Sequence, residues 1–362
     1  MLDKIVIDFS NPFLIFNNHI KKLTDMANLK TTYLGLELKN PVIVGASDLV
    51  TKVENLKAAE EAGAAAIVYK SLFEEQIQLE NYQLDQQMSD YNDRNAEMIS
   101  LFPDVDHAGP REFLHNLKKA KETVSIPLIA SLNAIYKESW IEYAKLIEDT
   151  GVDALELNFY AIPGDFEAEG NSIVESQVEV VKEIKQILNI PVSVKLSPFY
   201  TNILKVFTDM DEVGVDGFVL FNKMFQPDID LEKEEHISPF YLSSENDYRM
   251  ALRYAGLLYG NTAASVCASG GIFHGKDVIK LILAGADAVQ VVSTLYKNKI
   301  SHISVMLKDI EEWMNDKGYS SLKDILGKVS KKKTRDPFVY KRAQYIDLLL
   351  KSGDLLKNYS LR

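Results

Sequence analysis

The chain is expected to fold as a (β/α)8 TIM barrel, and three features carry that expectation. Eight short runs rich in Val, Ile, Leu and Ala recur between residues 41 and 294. Amphipathic stretches with helical spacing separate them. The joins repeat one theme, in EEAGAAAI, EDTGVDAL, DEVGVDGF and LAGADAVQ: a helix end, a glycine, then the next apolar run. Runs that are apolar throughout, rather than at alternate positions, belong to strands covered on both faces, as in parallel sheets whose crossovers are helices. An open doubly wound sheet is the competing architecture, and the count of eight favours closure.

In chain order the strands are expected at 41–47 (PVIVGAS), 66–71 (AIVYKS), 127–133 (PLIASLN), 154–160 (ALELNFY), 191–197 (PVSVKLS), 217–222 (GFVLFN), 265–271 (SVCASGG) and 288–294 (AVQVVST). Helices are expected at 53–63, 139–151, 174–188 and 275–286, several ending in glycine as helix C-termini often do. Long insertions follow the second and sixth strands, on the face where such barrels carry their chemistry. The first spans residues 72–110, and its 74–106 portion holds nine acidic residues, beginning with Glu74 and Glu75, against Arg94 alone. A solvated acidic excursion is the expectation there, with an electrostatic recognition loop as the competitor. The second, 223–247, combines Gln226-Pro227-Asp228 turn chemistry with alternating residues and predicts a small hairpin over the barrel mouth. The expected division is an N-terminal extension, 1–25, outside the fold, a barrel over 26–330, and a helical tail over 331–362.

Composition narrows the function. The 362 residues include 40 Lys and Arg against 52 Asp and Glu, a net charge of −12, with 46% hydrophobic residues. That balance suits a globular enzyme acting on a small molecule and argues against a nucleic-acid partner. The basic stretch at 331–342 reads as a solvated surface or subunit contact. Cys267 is the single cysteine, so neither an internal disulfide nor a four-cysteine zinc or iron–sulfur site can form, and a reducing, cytoplasmic setting is expected. No run of eighteen apolar residues occurs, which removes stable membrane insertion by a helix. Pro12 breaks the apolar core of residues 1–25, which make a poor signal peptide. The histidines form no HxH or HExxH pair, so no metal site is expected.

On a parallel barrel the polar residues at the C-terminal strand ends are the candidates for chemistry. Here they are Ala46, Ser47 and Asp48; Lys70 and Ser71; Ser131 and Asn133; Asn158 and Tyr160; Lys195 and Ser197; Asn222; Ser269, Gly270 and Gly271; and Ser293 and Thr294. Lysines and amides in apolar surroundings need partners, since an unmatched buried group costs several kcal/mol, and a polar ligand would supply them. The Ser269-Gly270-Gly271 turn and Ser293 follow the seventh and eighth strands, where barrels bind phosphate through closely approaching backbone amides. Lys70 and Lys195 also leave an imine-forming lysine open.

Across residues 34–330 the sequence resembles the dihydroorotate dehydrogenase family, and more closely a divergent branch of it. The motifs are Asn40-Pro41 through Ala46-Ser47-Asp48, Tyr69-Lys70-Ser71, Glu156-Leu157-Asn158, Val194-Lys195-Leu196-Ser197-Pro198 and Ala268-Ser269-Gly270-Gly271-Ile272, with FNKMFQPDIDLE (221–232) similar to the branch's hallmark. The resemblance implies FMN across the barrel mouth, its phosphate at Gly270, Gly271 and Ser293, and its ring system near Ala46, Ser47, Lys70, Ser71, Asn133, Asn158 and Lys195. It implies oxidation of a CH–CH bond, dihydroorotate to orotate in pyrimidine biosynthesis or a related small substrate. Lys70, Asn158 and Asn222 would grip the substrate, and Lys195 would stabilise negative charge on the reduced ring. A homodimer also fits the resemblance.

The departures are as specific as the matches. Where the family's loop reads Asn-x-Ser-(Cys or Ser)-Pro-Asn, this chain has Asn158-Phe159-Tyr160-Ala161-Ile162-Pro163, so Ala161 stands in the place of the general base. Tyr160 is the remaining acid–base candidate in that loop. The electron acceptor stays open among fumarate-like acids, a quinone and a partner reductase. Two further readings compete with the oxidoreductase: a flavin-free lyase using Lys70 or Lys195 as an imine-forming amine, and a catalytically silent FMN-binding protein.

Overall fold

The computed structural model describes residues 27–75, 77–78, 110–161, 164, 166–167, 169–351 and 353. The expected extension 1–25 and most of the first insertion lie outside these residues.

The described chain begins with an antiparallel hairpin, β1 (Thr31–Tyr33) and β2 (Leu36–Leu38). The strands β3 (Val42–Val44), β4 (Ala66–Val68), β5 (Leu72–Phe73), β6 (Leu128–Asn133), β7 (Ala154–Asn158), β8 (Val192–Leu196) and β9 (Gly217–Leu220) follow. After a second hairpin, β10 (Asp228–Asp230) and β11 (Glu235–Ile237), come β12 (Ser265–Ser269) and β13 (Ala288–Val291). The parallel order β3-β4-β6-β7-β8-β9-β12-β13, with β13 paired back to β3, is an eight-stranded closed barrel. Each of the eight sits inside the run that the sequence assigns to it. Helices α1 (Val53–Glu61), α2 (Arg111–Thr123), α3 (Lys137–Glu148), α4 (Ser172–Ile187), α5 (Ile203–Glu212), α6 (Arg249–Leu258), α7 (Gly275–Ala284), α8 (Ser293–Asn298) and α9 (His302–Lys317) alternate with the strands or complete the outer layer. A short helix, α10 (Ala343–Leu350), lies in the tail with no buried residue.

Two cores follow from the strand period of two. One set of alternating side chains, including Leu155, Leu157, Val192, Val194, Leu196, Val289 and Val291, packs outward against the helices. The other faces the barrel interior, where Ile43, Val68, Ile129, Val219 and Cys267 meet Tyr33, Leu34 and Leu38 of the first hairpin. That hairpin closes the N-terminal end, leaving the opposite end for ligands. The same alternation along Ala154, Glu156 and Asn158, and along Ser193, Lys195 and Ser197, points polar side chains inward.

The repeated Gly-x-Asp joins have a structural use. Gly151, Gly214 and Gly285 have φ of +82°, +88° and +134°, conformations that side chains rarely adopt. The aspartate two residues later accepts from the backbone N–H of the preceding strand: Asp153 from Leu128 at 2.7 Å, Asp216 from Val192 at 2.7 Å and Asp287 from Val266 at 2.8 Å. One tripeptide thus ends a helix and clips two neighbouring strands at the barrel's closed end.

The first insertion departs from the solvated expectation where it begins. Glu74 is buried, 3% exposed, and its carboxylate accepts from the amides of Ile135 (2.7 Å) and Tyr136 (3.1 Å), from Ser139 Oγ (2.7 Å) and from Gln78 Nε2 (3.1 Å). It anchors the N-terminal turn of α3, where a negative charge also meets the helix dipole.

Candidate active site

A cavity of about 690 Å³ occupies the C-terminal rim of the barrel. Every candidate named from the sequence as catalytic, cofactor-binding or substrate-binding lines it: Ala46, Ser47, Lys70, Ser71, Asn133, Asn158, Tyr160, Lys195, Asn222, Gly270, Gly271 and Ser293. Their convergence follows from topology, because parallel strands all end on one side.

The cavity floor is polar and mostly satisfied. Lys195, only 9% exposed, donates to Gln290 Oε1 at 3.1 Å and sits 3.5 Å from Glu156 Oε1, while Gln290 Nε2 donates to Glu156 Oε2 at 2.5 Å. Ser71 and Ser131 share a hydroxyl hydrogen bond of 2.7 Å. Asn158 differs: its Oδ1 is buried and has no hydrogen-bond partner among the described residues. An amide oxygen left unpaired in such a place costs on the order of 1–3 kcal/mol, and a ligand N–H removes that cost.

The other candidates divide by how they are engaged. The Lys70 ammonium pairs with Asp48 at 2.7 Å on the half-exposed rim. Asn222 Nδ2 donates to the carbonyls of Phe159 (2.9 Å) and Lys195 (3.4 Å), so its donor holds strand ends together and its oxygen is left for a ligand. Tyr160 Oη accepts from the Phe225 amide at 3.1 Å, tying the β7 loop to the second insertion. Ala161 is exposed and offers no proton-accepting atom. Cys267 lies in the inner core, where burial pushes its thiol well up, so it stays a packed, protonated side chain.

At the β12 and β13 ends, Gly270 and Gly271 take φ of +87° and +67° in succession. Among the described residues a Cβ on Gly270 would meet no atom within 4 Å, whereas one on Gly271 would lie 2.6 Å from the Ser244 carbonyl oxygen. Gly270 therefore borders open space, and Gly271 is compressed against the second insertion. Ser293 Oγ accepts from the Ser243 amide at 2.9 Å beside them. Consecutive amides in such a turn, next to a hydroxyl, make an anion-binding concavity.

Sequence reasoning missed Gln290 and the aromatic wall. Gln290 is an amide at an inward position of the otherwise apolar run AVQVV, and that isolation was the available signal. The expected hairpin is β10–β11, and the residues flanking it supply the wall: Phe225 stacks on Phe240 at 5.4 Å, Tyr241 meets Phe225 edge-on at 5.6 Å, and Lys223 lies 4.5 Å over the Tyr241 ring.

The chain is similar in sequence to known proteins. A family model described as dihydroorotate dehydrogenase matches residues 28–314. The catalytic subunit of dihydroorotate dehydrogenase B (NAD(+)) from Thermoplasma volcanium is 29% identical over 308 residues, covering 83% of this chain and 98% of that protein. The protein of the same name from Methanosarcina acetivorans is 30% identical over 310 residues, covering 81% of this chain and 93% of its own. Among the described residues, no helix is long and apolar enough to cross a membrane.

Proposed function

The chain belongs to the dihydroorotate dehydrogenase family, and from that premise we propose that it is an FMN-dependent oxidoreductase that oxidises dihydroorotate, or a closely related cyclic amide, at a CH–CH bond. The observation that carries this reading is the cavity at the barrel rim into which inward polar residues of the strands converge, with Asn158 Oδ1, unpaired among the described residues, and the open side of Gly270 inside it. Both features suit FMN: the glycine turn has room for a phosphate, and the unpaired amide oxygen suits an N–H of a ring edge.

When bound, FMN supplies the acceptor for hydride. Gly270, Gly271 and Ser293 would hold its phosphate, and Ala46, Ser47, Lys70, Ser71, Asn133, Asn158 and Lys195 would surround its ring system. The Lys195 ammonium, sheltered from water, offers the positive charge that steadies an anionic ring. Lys70 and the oxygens of Asn158 and Asn222 orient the substrate. Phe225, Phe240 and Tyr241 cover the opposite wall and reduce the access of water. Tyr160 Oη accepts from Phe225 N and lines the cavity, and we assign it the acid–base role that Ala161 cannot fill: its O–H gives a proton when the substrate ring is reduced, and its deprotonated oxygen takes that proton when the ring is oxidised.

The relatives' names include NAD(+) and describe them as catalytic subunits. This chain has one cysteine and no glycine-rich dinucleotide turn after a strand, so electrons leave through a partner subunit in this reading. The imine-forming alternative loses ground because both candidate lysines are engaged as ammonium groups, Lys70 by Asp48 and Lys195 by Glu156 and Gln290.

The test is anaerobic mixing of the FMN-reconstituted protein with dihydroorotate while flavin absorbance is followed. Bleaching is expected. Protein that takes up no FMN refutes the reading, and firmly held colour that dihydroorotate leaves unchanged refutes that substrate.

A further inference from the structure

Glu156, Lys195 and Gln290 form a triad inside the barrel. Glu156 and Gln290 are each 1% exposed. Asn158 lines the cavity on the same strand face as Glu156, two residues on, which sets Glu156 one layer deeper. Gln290 and Lys195 both reach the cavity.

The geometry is unusual for a buried ion pair. The Lys195–Glu156 approach is 3.5 Å, too long for a hydrogen bond, and Glu156 Oε1 has no hydrogen-bond partner among the described residues. Gln290 bridges them from the side: its oxygen accepts from the ammonium at 3.1 Å, and its nitrogen donates to the other carboxylate oxygen at 2.5 Å. A lysine and a glutamate alone in so dry a place would close to hydrogen-bond distance, since each is otherwise a costly buried charge.

We propose that Gln290 is a positioning residue that holds Lys195 off Glu156, so that the ammonium is presented to the cavity while the carboxylate beneath it offsets part of its charge. The amide is suited to this because it bridges one donor and one acceptor without adding charge. Glu156 then sets how positive the cavity floor is, and Gln290 sets where that charge sits. This rests on the FMN reading above, because the charge matters through the ring it faces.

The two residues have opposite expected effects. Gln290→Met removes the bridge, lets Lys195 fall back on Glu156 and makes the floor less positive. Glu156→Gln leaves Lys195 uncompensated and makes it more positive. Sulfite reports on this without turnover, because it adds reversibly to oxidised flavins and binds more tightly the more positive their surroundings. Wild type, Gln290→Met and Glu156→Gln would each be reconstituted with FMN, checked by melting, and titrated with sulfite, with the two-electron potential measured in parallel. Gln290→Met is expected to weaken sulfite binding about tenfold and Glu156→Gln to tighten it about tenfold, each equivalent to ~30 mV. Should Glu156→Gln not fold, Glu156→Asp withdraws the carboxylate by one methylene and should tighten sulfite binding in the same sense. Shifts in the same direction, or both within twofold of wild type, overturn the proposal and leave the FMN reading standing. Wild type that binds no FMN takes both down.

Discussion

Replacing each glycine of the β12 turn by alanine separates the stability of that turn from its use. Gly270 and Gly271 have φ of +87° and +67°, so either alanine incurs the left-handed penalty of about 1–2 kcal/mol. Gly271→Ala adds a collision, because its Cβ would lie 2.6 Å from Ser244 O and 2.7 Å from the backbone nitrogen of Asp247. Backbone atoms cannot rotate aside as a side chain does, and overpacking of this kind costs about 1–3 kcal/mol more. Gly271→Ala should therefore lose about 2–5 kcal/mol in chemical denaturation of the ligand-free protein. Gly270→Ala has no neighbour within 4 Å and should lose only the backbone cost. Its methyl group would instead intrude where a phosphate is expected, displacing one charge-assisted hydrogen bond worth about 1.5–3 kcal/mol. That corresponds to FMN binding weakened by roughly 10- to 150-fold, measured by quenching of flavin fluorescence. Gly270→Ala protein that folds and binds FMN within twofold of wild type would refute the placement of the phosphate.

Lys195→Met should cost about 3–5 kcal/mol because it leaves Glu156 buried without a counter-ion, and Lys195→Met combined with Glu156→Leu should recover much of that loss in urea unfolding. Tyr160→Phe removes the acceptor for the Phe225 amide at a cost of about 1 kcal/mol in stability, and should lower kcat at least tenfold with little change in KM if Tyr160 moves the substrate's proton. Glu74→Leu strands the Ile135 and Tyr136 amides, which predicts a loss of about 2–4 kcal/mol, read as a lowered midpoint in urea. Burial pushes the Asp287 carboxyl from 3.8 up to about 6, so the folded protein holds that proton more tightly than the unfolded chain. Its stabilising contribution is complete below about pH 4 and lost as pH rises through the folded value. Asp287→Asn keeps an acceptor for the Val266 amide and should be more stable than wild type near pH 8 by up to about 3 kcal/mol, with no gain near pH 4.

The barrel was legible because its signals are local and repeated. A largely apolar run of six or seven residues, a glycine and a helical stretch recur often enough that each expected strand contains an observed one. The site was legible for a related reason: with parallel strands, knowing where each strand ends places its last polar residue at the common rim. What escaped notice depends on contacts between distant segments. Gln290 reads as an oddity in AVQVV until Glu156 and Lys195 are seen across the barrel. Glu74 looked like one of nine surface acids, because the amides it serves, just before α3, lie some sixty residues further along the chain. Phe225, Phe240 and Tyr241 could be assigned to a loop but not to a wall, since their neighbours are set by how the hairpin folds back.

The link between Tyr160 Oη and the Phe225 amide has a bearing on redesign. Two stretches of chain that an engineer would treat as separate modules share one stitch. Exchanging residues 160–163 for a cysteine-bearing sequence would cut it and remove one of the hydrogen bonds that hold residues 223–247. Ala161→Cys alone keeps the stitch intact, and is the smallest edit that asks whether a thiol at that spot can be put to work. A larger transplant into this pocket keeps the stitch if it carries both stretches together.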